Sequence, residues 1–280
     1  MQEDPDFVTA LARGLRILTC FNASQLELGN GEIASRVGLA PATVARLTYT
    51  LSQLGYLRSV PKKRRYALSA NVLSIAHPVL AALRERGLAS EFVYDLAQRT
   101  ESSACVAVLE GLNAVYIETA HFQDAGKYTD IGTHRALLDS STGRALYVAL
   151  DKAQREAILN KLRLYSPERS GILIDSARAA ESDYARYGTC LTHGIVHPGW
   201  LGLAMPLSGM YGRKLALSIG LPTENIADVD LSKLRSALAA TASKIERAFK
   251  SEEKTPMACL PFPADPLSIK HKNHIDAYCR

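Results

Sequence analysis

Between Asp139 and Leu150 the chain reads DSSTGRALYVAL, three hydroxyl residues followed by an apolar, helix-like run. Ser140 or Ser141 can cap that helix by accepting one of its first N–H groups. The remaining N–H groups of the turn then point outward, and with the helix dipole they form a site suited to a carboxylate or another anion. Taken singly, each hydroxyl is also explained by capping alone. A second group is His193 and His197 with Cys190 close by, the H-x-x-x-H spacing of zinc ligands. Pro198 pushes His197 toward extended geometry, so the two rings need not share a helical face, and no metal is expected. The third group is the run Lys62, Lys63, Arg64 and Arg65, four cations together in a soluble chain. Such a run either meets a polyanion or keeps a hairpin tip from pairing with another edge.

Other chemistries are poorly served. A serine-type small-molecule hydrolase would pair Ser140 or Ser141 with His193, but no G-x-S-x-G elbow is present. Neither G-x-G-x-x-G nor a Walker lysine motif occurs, so no cofactor is expected and the chain does not read as an enzyme. Five cysteines, Cys20, Cys105, Cys190, Cys259 and Cys279, lie far apart with no C-x-x-C pair, as reduced structural thiols do. No window approaches the roughly 18 to 20 apolar residues of a membrane span, and the acidic start MQEDPDF lacks the basic region of a signal peptide. These features predict a cytoplasmic protein with no membrane partner.

The elements around the cationic run give it a role. FVTALARGLRILTCF places Val8, Leu11, Leu15, Leu18 and Phe21 at helical spacing. Residues 31–37 form a short helix burying Ile33, Ala34 and Val37, and Gly38 suits a left-handed cap. Pro41 then starts a third helix with Val44, Leu47, Leu51 and Leu54 on one face and Ala42, Thr43, Ala45, Arg46 and Tyr49 on the other. This is the helix-turn-helix pattern, whose second helix enters a DNA major groove. YLRSV and RRYAL read as the two strands of a hairpin wing, which sets Lys62, Lys63, Arg64 and Arg65 where phosphates run. Thr43, Arg46 and Tyr49 would approach bases. Charge agrees with this placement, since residues 7–70 hold nine Lys/Arg against two Asp/Glu while the remainder is nearly balanced. A winged-helix module that binds protein instead of DNA has the same pattern, and salt-dependent DNA binding separates the two.

Those segments resemble the isocitrate lyase regulator (IclR) family of bacterial transcription factors. LARGLRIL is similar to its opening helix, EIASRVGLAPATVARLTYTLSQLGYL to its helix-turn-helix and RRYALS to the end of its wing. The likeness continues through ESSACVAVLEGLNAVYIE, SSTGRALYVAL, YGTCLTHGIVHPGWLGLAMPL and LALSIGLP. Three positions depart from the family pattern: Ala42 stands where serine is usual, Thr48 where leucine is usual, and Gly202 where some members carry cysteine.

With 280 residues and 47% hydrophobic content the chain can bury two cores. The expected fold is α+β: a winged helix-turn-helix domain (1–69), a linker helix (70–88) that Pro78 kinks or interrupts, a GAF-like mixed α/β effector domain (89–250) and a proline-rich tail (251–280). The later elements read as helices near Ser90–Arg99, from Thr142 onward past Asp151, near Ser176–Tyr187 and over Leu231–Phe249. The strands read near Ser103–Leu109, Ala114–Glu118, Thr189–Thr192, Gly202–Leu207 and Lys214–Gly220. The resemblance implies a promoter-binding homodimer or tetramer that represses or activates metabolic or catabolic genes, with dimer contacts along the linker. It also implies a small-molecule pocket on Ser141, Thr142, Gly143, Thr192, Trp200, Gly202, Ser218 and Gly220, for effectors that are mostly small organic acids, with Arg135 or His193 as a countercharge. Read without the family, Trp200 is as readily a core residue.

Overall fold

Short helices that each bury one side build the first unit. In the computed structural model, which describes residues 6–22, 25–123 and 129–254, the chain divides between Ala81 and Ala82. The first unit opens with α1 (Thr9–Leu18), β1 (Leu28–Gly29), α2 (Asn30–Val37) and α3 (Pro41–Gln53). Gly38 ends α2 in the left-handed conformation, φ 62°, and Pro41 occupies the first position of α3, both as the sequence predicts. Ile17, Leu28, Ile33 and Val44 are fully buried at the centre of this unit. β2 (Leu57–Val60) and β3 (Arg65–Leu68) pair antiparallel, with Val60 opposite Arg65, and β1 adds to the outer side of β3. The wing is therefore present, with residues 61–64 at its tip.

Two apolar stripes are used differently from the sequence expectation. On α1, Val8, Leu11 and Leu15 are exposed, and Ile17 with Phe21 does the packing. On α3 the buried side is Val44, Thr48 and Leu51, while Leu54 is exposed. Helical spacing identifies a stripe but not what covers it.

The linker is also corrected. α4 (Val72–Ala82) runs on through Pro78, and helical geometry breaks instead at Leu83 (φ −87°, ψ 72°), after which α5 (Arg84–Thr100) begins. The single helix expected over 70–88 is thus two. Contacts at the start of α5 place the break: Leu83 is buried, and Arg84, Glu85 and Arg86 pair with Glu252, Arg213 and Glu118. Those anchors outweigh the loss of one helical hydrogen bond at the proline.

Beyond α5 come β4 (Ser103–Glu110), β5 (Asn113–His121), β6 (His134–Ala136), α6 (Ser141–Val148), α7 (Lys152–Tyr165) and α8 (Ser170–Tyr187). They are followed by β7 (Cys190–His193), β8 (Trp200–Ser208), β9 (Lys214–Pro222) and α9 (Leu231–Glu253). The helix expected to continue past Asp151 stops at Val148 because Asp151 starts a new one. Its carboxylate accepts the Gln154 N–H at 2.8 Å while the Gln154 side chain accepts the Asp151 N–H at 3.2 Å, a reciprocal cap. The six strands form one antiparallel sheet in the order β6-β5-β4-β9-β8-β7. Val106, Leu203 and Leu217 face α5 and α9, and Ala107, Ala204 and Ala216 face α6 and α8. A sheet covered on both faces by helices is the expected α+β architecture. From residue 255 onward, the proline-rich tail read over 251–280 lies outside the described residues.

Candidate functional site

Two surfaces gather the residues singled out from the sequence. On α3, Ala42, Ala45, Arg46 and Tyr49 are exposed, with Tyr49 at 65%, and Thr43 is half-buried. Arg46 and Tyr49 lie three residues apart, so their side chains are neighbours on one helix face. At the wing, the four cations do not share one environment. Lys63 Nζ lies 3.0 Å from a Glu27 carboxylate oxygen, and Arg65 donates to Glu32 Oε1 and to the Glu27 carbonyl, both at 2.8 Å. The Glu32 carboxyl is held below its ordinary range, first by the Gly29 N–H it accepts at 2.7 Å and then by Arg65. Lys62 and Arg64 project from the tip with no side-chain partner among the described residues, and both adopt left-handed backbone conformations, φ 67° and 48°.

The second surface is a cavity on the α6 side of the large sheet. Strand register explains its assembly: Ser103 pairs with Gly220, Gly220 with Gly202 and Gly202 with Thr192, a single row across β4, β9, β8 and β7. The next row brings Cys105 opposite Ser218. α6 begins at these rows and supplies Ser140, Ser141 and Thr142 from its N-terminal end, while Tyr116, Thr129, Arg135, Val196, Trp200 and Ile219 complete the wall. About 390 Å³ of non-atom space lies within, open solvent at the mouth included. The two glycines are required by shape. A Cβ at Gly220 would sit 2.8 Å from the Trp200 ring, and one at Gly202 would sit 2.6 Å from Ser141 Oγ and 3.0 Å from Thr192 Oγ1.

Seven of the eight residues expected at the pocket therefore line this cavity. Gly143 does not: its Cα hydrogens face the Leu137 backbone, and its N–H goes to Ser140 Oγ at 3.1 Å. Ser140 is thus the cap of α6, and the N–H groups of Ser141 and Thr142 have no acceptor within the helix. Of the two proposed countercharges, Arg135 lines the cavity. His193 does not, and its Nε2 lies 3.0 Å from the Thr223 carbonyl. The Tyr116 hydroxyl donates to Thr142 Oγ1 at 3.0 Å. Ser103, Cys105 and Tyr116 were not singled out from the sequence, because only the register of distant strands brings them here. Arg144 was missed as well; it is buried on α6 itself and ties that helix to Ser176 Oγ and the Leu191 carbonyl, each at 3.0 Å.

Among the described residues, the groups singled out for zinc and for hydrolysis have other partners. The His197 Nδ1 lies 2.7 Å from the Pro198 carbonyl, and burial pushes the Cys190 thiol up to about 12, away from the thiolate that zinc takes. No cluster of three or more His, Cys, Asp or Glu side chains suited to a metal occurs among the described residues. Ser140 and Ser141 have no histidine partner there. Ser103 Oγ does lie 3.2 Å from His121 Nδ1, but it is the first residue of β4 and not part of a strand-to-helix turn, and the Asp130 carboxylate is 3.6 Å from the far ring nitrogen. No described helix is long and apolar enough to cross a membrane.

Burial also raises the Tyr116 phenol to about 12, and the Cys105 thiol is pushed further up by the same cause. Ordinary values are 9.0 for the thiols and 10.0 for the phenol, so above those values the folded state keeps protons that the unfolded chain gives up. The contribution is intact below about pH 9 and is lost as pH rises toward 12. Urea midpoints are therefore expected to fall between about pH 8 and 10.5, with Cys105 and Cys190 refractory to alkylation until unfolding. A midpoint that holds steady or rises over that range would contradict the burial of these groups.

The IclR helix-turn-helix domain model matches residues 10–61, and the model of the bacterial transcriptional regulator IclR C-terminal region matches residues 66–247. The chain is 32% identical over 184 residues to the HTH-type transcriptional regulator TsaQ1/TsaQ2 of Comamonas testosteroni, a match spanning 65% of this chain and 66% of that one. It is 26% identical over 249 residues to the HTH-type transcriptional regulator XynR of Escherichia coli, spanning 86% and 97%. Among solved structures, an IclR family transcriptional regulator from Brucella abortus superimposes with a TM-score of 0.68 at 32% identity, covering 90% of this chain and 95% of the other. An IclR homologue from Microbacterium hydrocarbonoxydans, complexed with 4-hydroxybenzoate, shares the fold with a TM-score of 0.67 at 22% identity. Two domain models together spanning most of the sequence, both attached to a winged helix-turn-helix and a helix-covered sheet, show that the chain belongs to the IclR family of transcriptional regulators.

Proposed function

We propose that this regulator binds promoter DNA of a catabolic or metabolic gene set as a homo-oligomer, and that a small organic acid held in the C-terminal cavity alters that binding. The observation that carries the effector is the cavity wall: hydroxyls from four strands and a helix N-terminus converge, and Arg135 is the one cation among its described lining residues. A carboxylate there gains charge-assisted hydrogen bonds of roughly 1.5–3 kcal/mol each and about 0.3–1 kcal/mol from the helix end, enough for micromolar to millimolar sensing. One relative, 25% identical over 223 residues, is named the p-hydroxybenzoate hydroxylase transcriptional activator, and the solved Microbacterium homologue holds 4-hydroxybenzoate. Tyr116 and Trp200 offer aromatic walls to such a ring.

On the DNA side, Thr43, Arg46 and Tyr49 approach bases, and Lys62, Lys63, Arg64 and Arg65 meet phosphates. Lys62 and Arg64 carry most of the wing's contribution, since they project without side-chain partners among the described residues from backbone conformations that disfavour side chains by roughly 1–2 kcal/mol. The oligomer is favoured by α4, which is rich in apolar residues yet buries none, and by the exposed Val8, Leu11 and Leu15 of α1.

Calorimetry with aliphatic and aromatic acids, 4-hydroxybenzoate among them, tests the pocket on wild type and on Thr142→Val with Ser218→Val. Equal heats from both proteins would remove the assignment. Replacing Lys62 and Arg64 by Ala should shrink the log–log salt slope of promoter binding by roughly 0.9 per lost phosphate contact. An unchanged slope would take the wing off the DNA, and absence of any promoter binding at low salt would favour a protein-binding module.

A further inference from the structure

Thr48 is fully buried on α3, the helix whose Val44 and Leu51 join Ile17, Leu28 and Ile33 in the apolar core of this unit. A group in that position must be satisfied. Its one proton goes to the Val44 carbonyl at 3.0 Å, with the Ala45 carbonyl at 3.1 Å sharing it. Asn30 Oδ1 lies 3.1 Å from the same oxygen, a third acceptor for that proton. The one hydroxyl proton is thus shared among three acceptors, and the Asn30 contact is the one that reaches out of α3. Thr50 and Ser52 repeat the backward bond, to the Arg46 and Thr48 carbonyls at 3.0 and 2.8 Å. Bonds of this kind bend a helix.

Asn30 opens α2, and the same short segment also holds the wing. Glu32 receives Arg65 of β3, and Glu27 receives Lys63. Residues 27–32 therefore anchor both the helix and the hairpin that face DNA.

Resting on the DNA-binding reading above, we infer that Asn30 and Thr48 form a positioning pair that sets the orientation in which α3 presents Arg46 and Tyr49, making Thr48 a determinant of sequence specificity. An apolar side chain at 48 would fill the same volume but would accept a range of α2–α3 arrangements, whereas a buried hydrogen bond accepts one. The bond acts through α3 and touches no base itself.

The test uses the full chain, with fluorescence anisotropy on a duplex from its own upstream promoter region and on a shuffled duplex of equal composition, alongside thermal unfolding. Thr48→Val and Asn30→Ala are each expected to lower the ratio of promoter to shuffled affinity about tenfold, and the double variant should lose no more than either alone. Thr48→Ser, which keeps the hydroxyl, should keep the ratio. A purely structural role predicts instead a lower unfolding temperature and weaker binding to both duplexes with the ratio unchanged, and that result overturns the inference, as do additive losses in the double variant. Asn30 is partly exposed, so Asn30→Ala decides the matter if Thr48→Val fails to fold. A wild-type protein that does not discriminate between the duplexes would remove sequence-specific binding and this inference with it, which is a different result from a wild-type ratio retained by the variants.

Discussion

Replacing Arg46 by Ala is expected to weaken binding to the promoter site by about 1–3 kcal/mol, roughly fivefold to 150-fold, while binding to unrelated duplex falls much less. Three features of the residue support the size of this effect. Arg46 lies on the exposed face of α3 beside Tyr49, it has no side-chain partner of its own among the described residues, and α3 is the second helix of the helix-turn-helix. A guanidinium presents two parallel donors to a guanine edge, so Arg46→Lys should recover little of the loss. Titrations on promoter and shuffled duplexes measure it directly. An equal loss on both would assign Arg46 to phosphate rather than base contact, and no loss would take it out of the interface.

Gly143→Ala should be the most damaging single methyl in the C-terminal unit. A Cβ at this position would fall on the Leu137 backbone, with its carbonyl carbon at 2.6 Å and its Cα at 2.8 Å. Neither side can yield, because Leu137 is fully buried and Gly143 is the third residue of α6, where Ser140 caps its N–H. Overpacking of this kind costs typically 1–3 kcal/mol and more where backbone is struck, so a loss of about 3 kcal/mol or more is expected. For a unit of this size that corresponds to roughly 6–12 °C in unfolding temperature. Gly171→Ala is the matched control, since a Cβ there meets nothing within 4 Å. It should be neutral or slightly stabilising. Equal unfolding temperatures for wild type and Gly143→Ala would mean that α6 is not seated on Leu137 as described.

Much of the N-terminal unit was legible from its residues alone because its signals are local. Gly38 and Pro41 punctuate a helix pair within five positions, and the wing is two short strands around one turn, so neighbouring residues specify neighbouring structure. The hydroxyl cap before α6 was legible for the same reason. Asp151, by contrast, carried a readable cap signal, with Gln154 three residues on, that the longer helical pattern obscured.

Position along the chain could not reveal what depends on partners far away in it. Thr48 fits a polar reading of α3 until Asn30 is placed against it, and Pro78 fits a helix break until the contacts at Leu83 and Arg84–Arg86 move that break. From the residues alone, the cavity was placed only as far as the α6 cap; its other expected members came from family resemblance. Ser103, Cys105 and Tyr116 joined it because strand pairing sets Ser103 beside Gly220 and Gly220 beside Gly202. A shift of one residue in any of those registers would turn the same side chains to the opposite face of the sheet. Local periodicity thus determined which elements form and where the cations lie. Tertiary packing alone decided which apolar stripes are covered and which hydroxyls meet, because both depend on contacts between segments that are not neighbours in the chain.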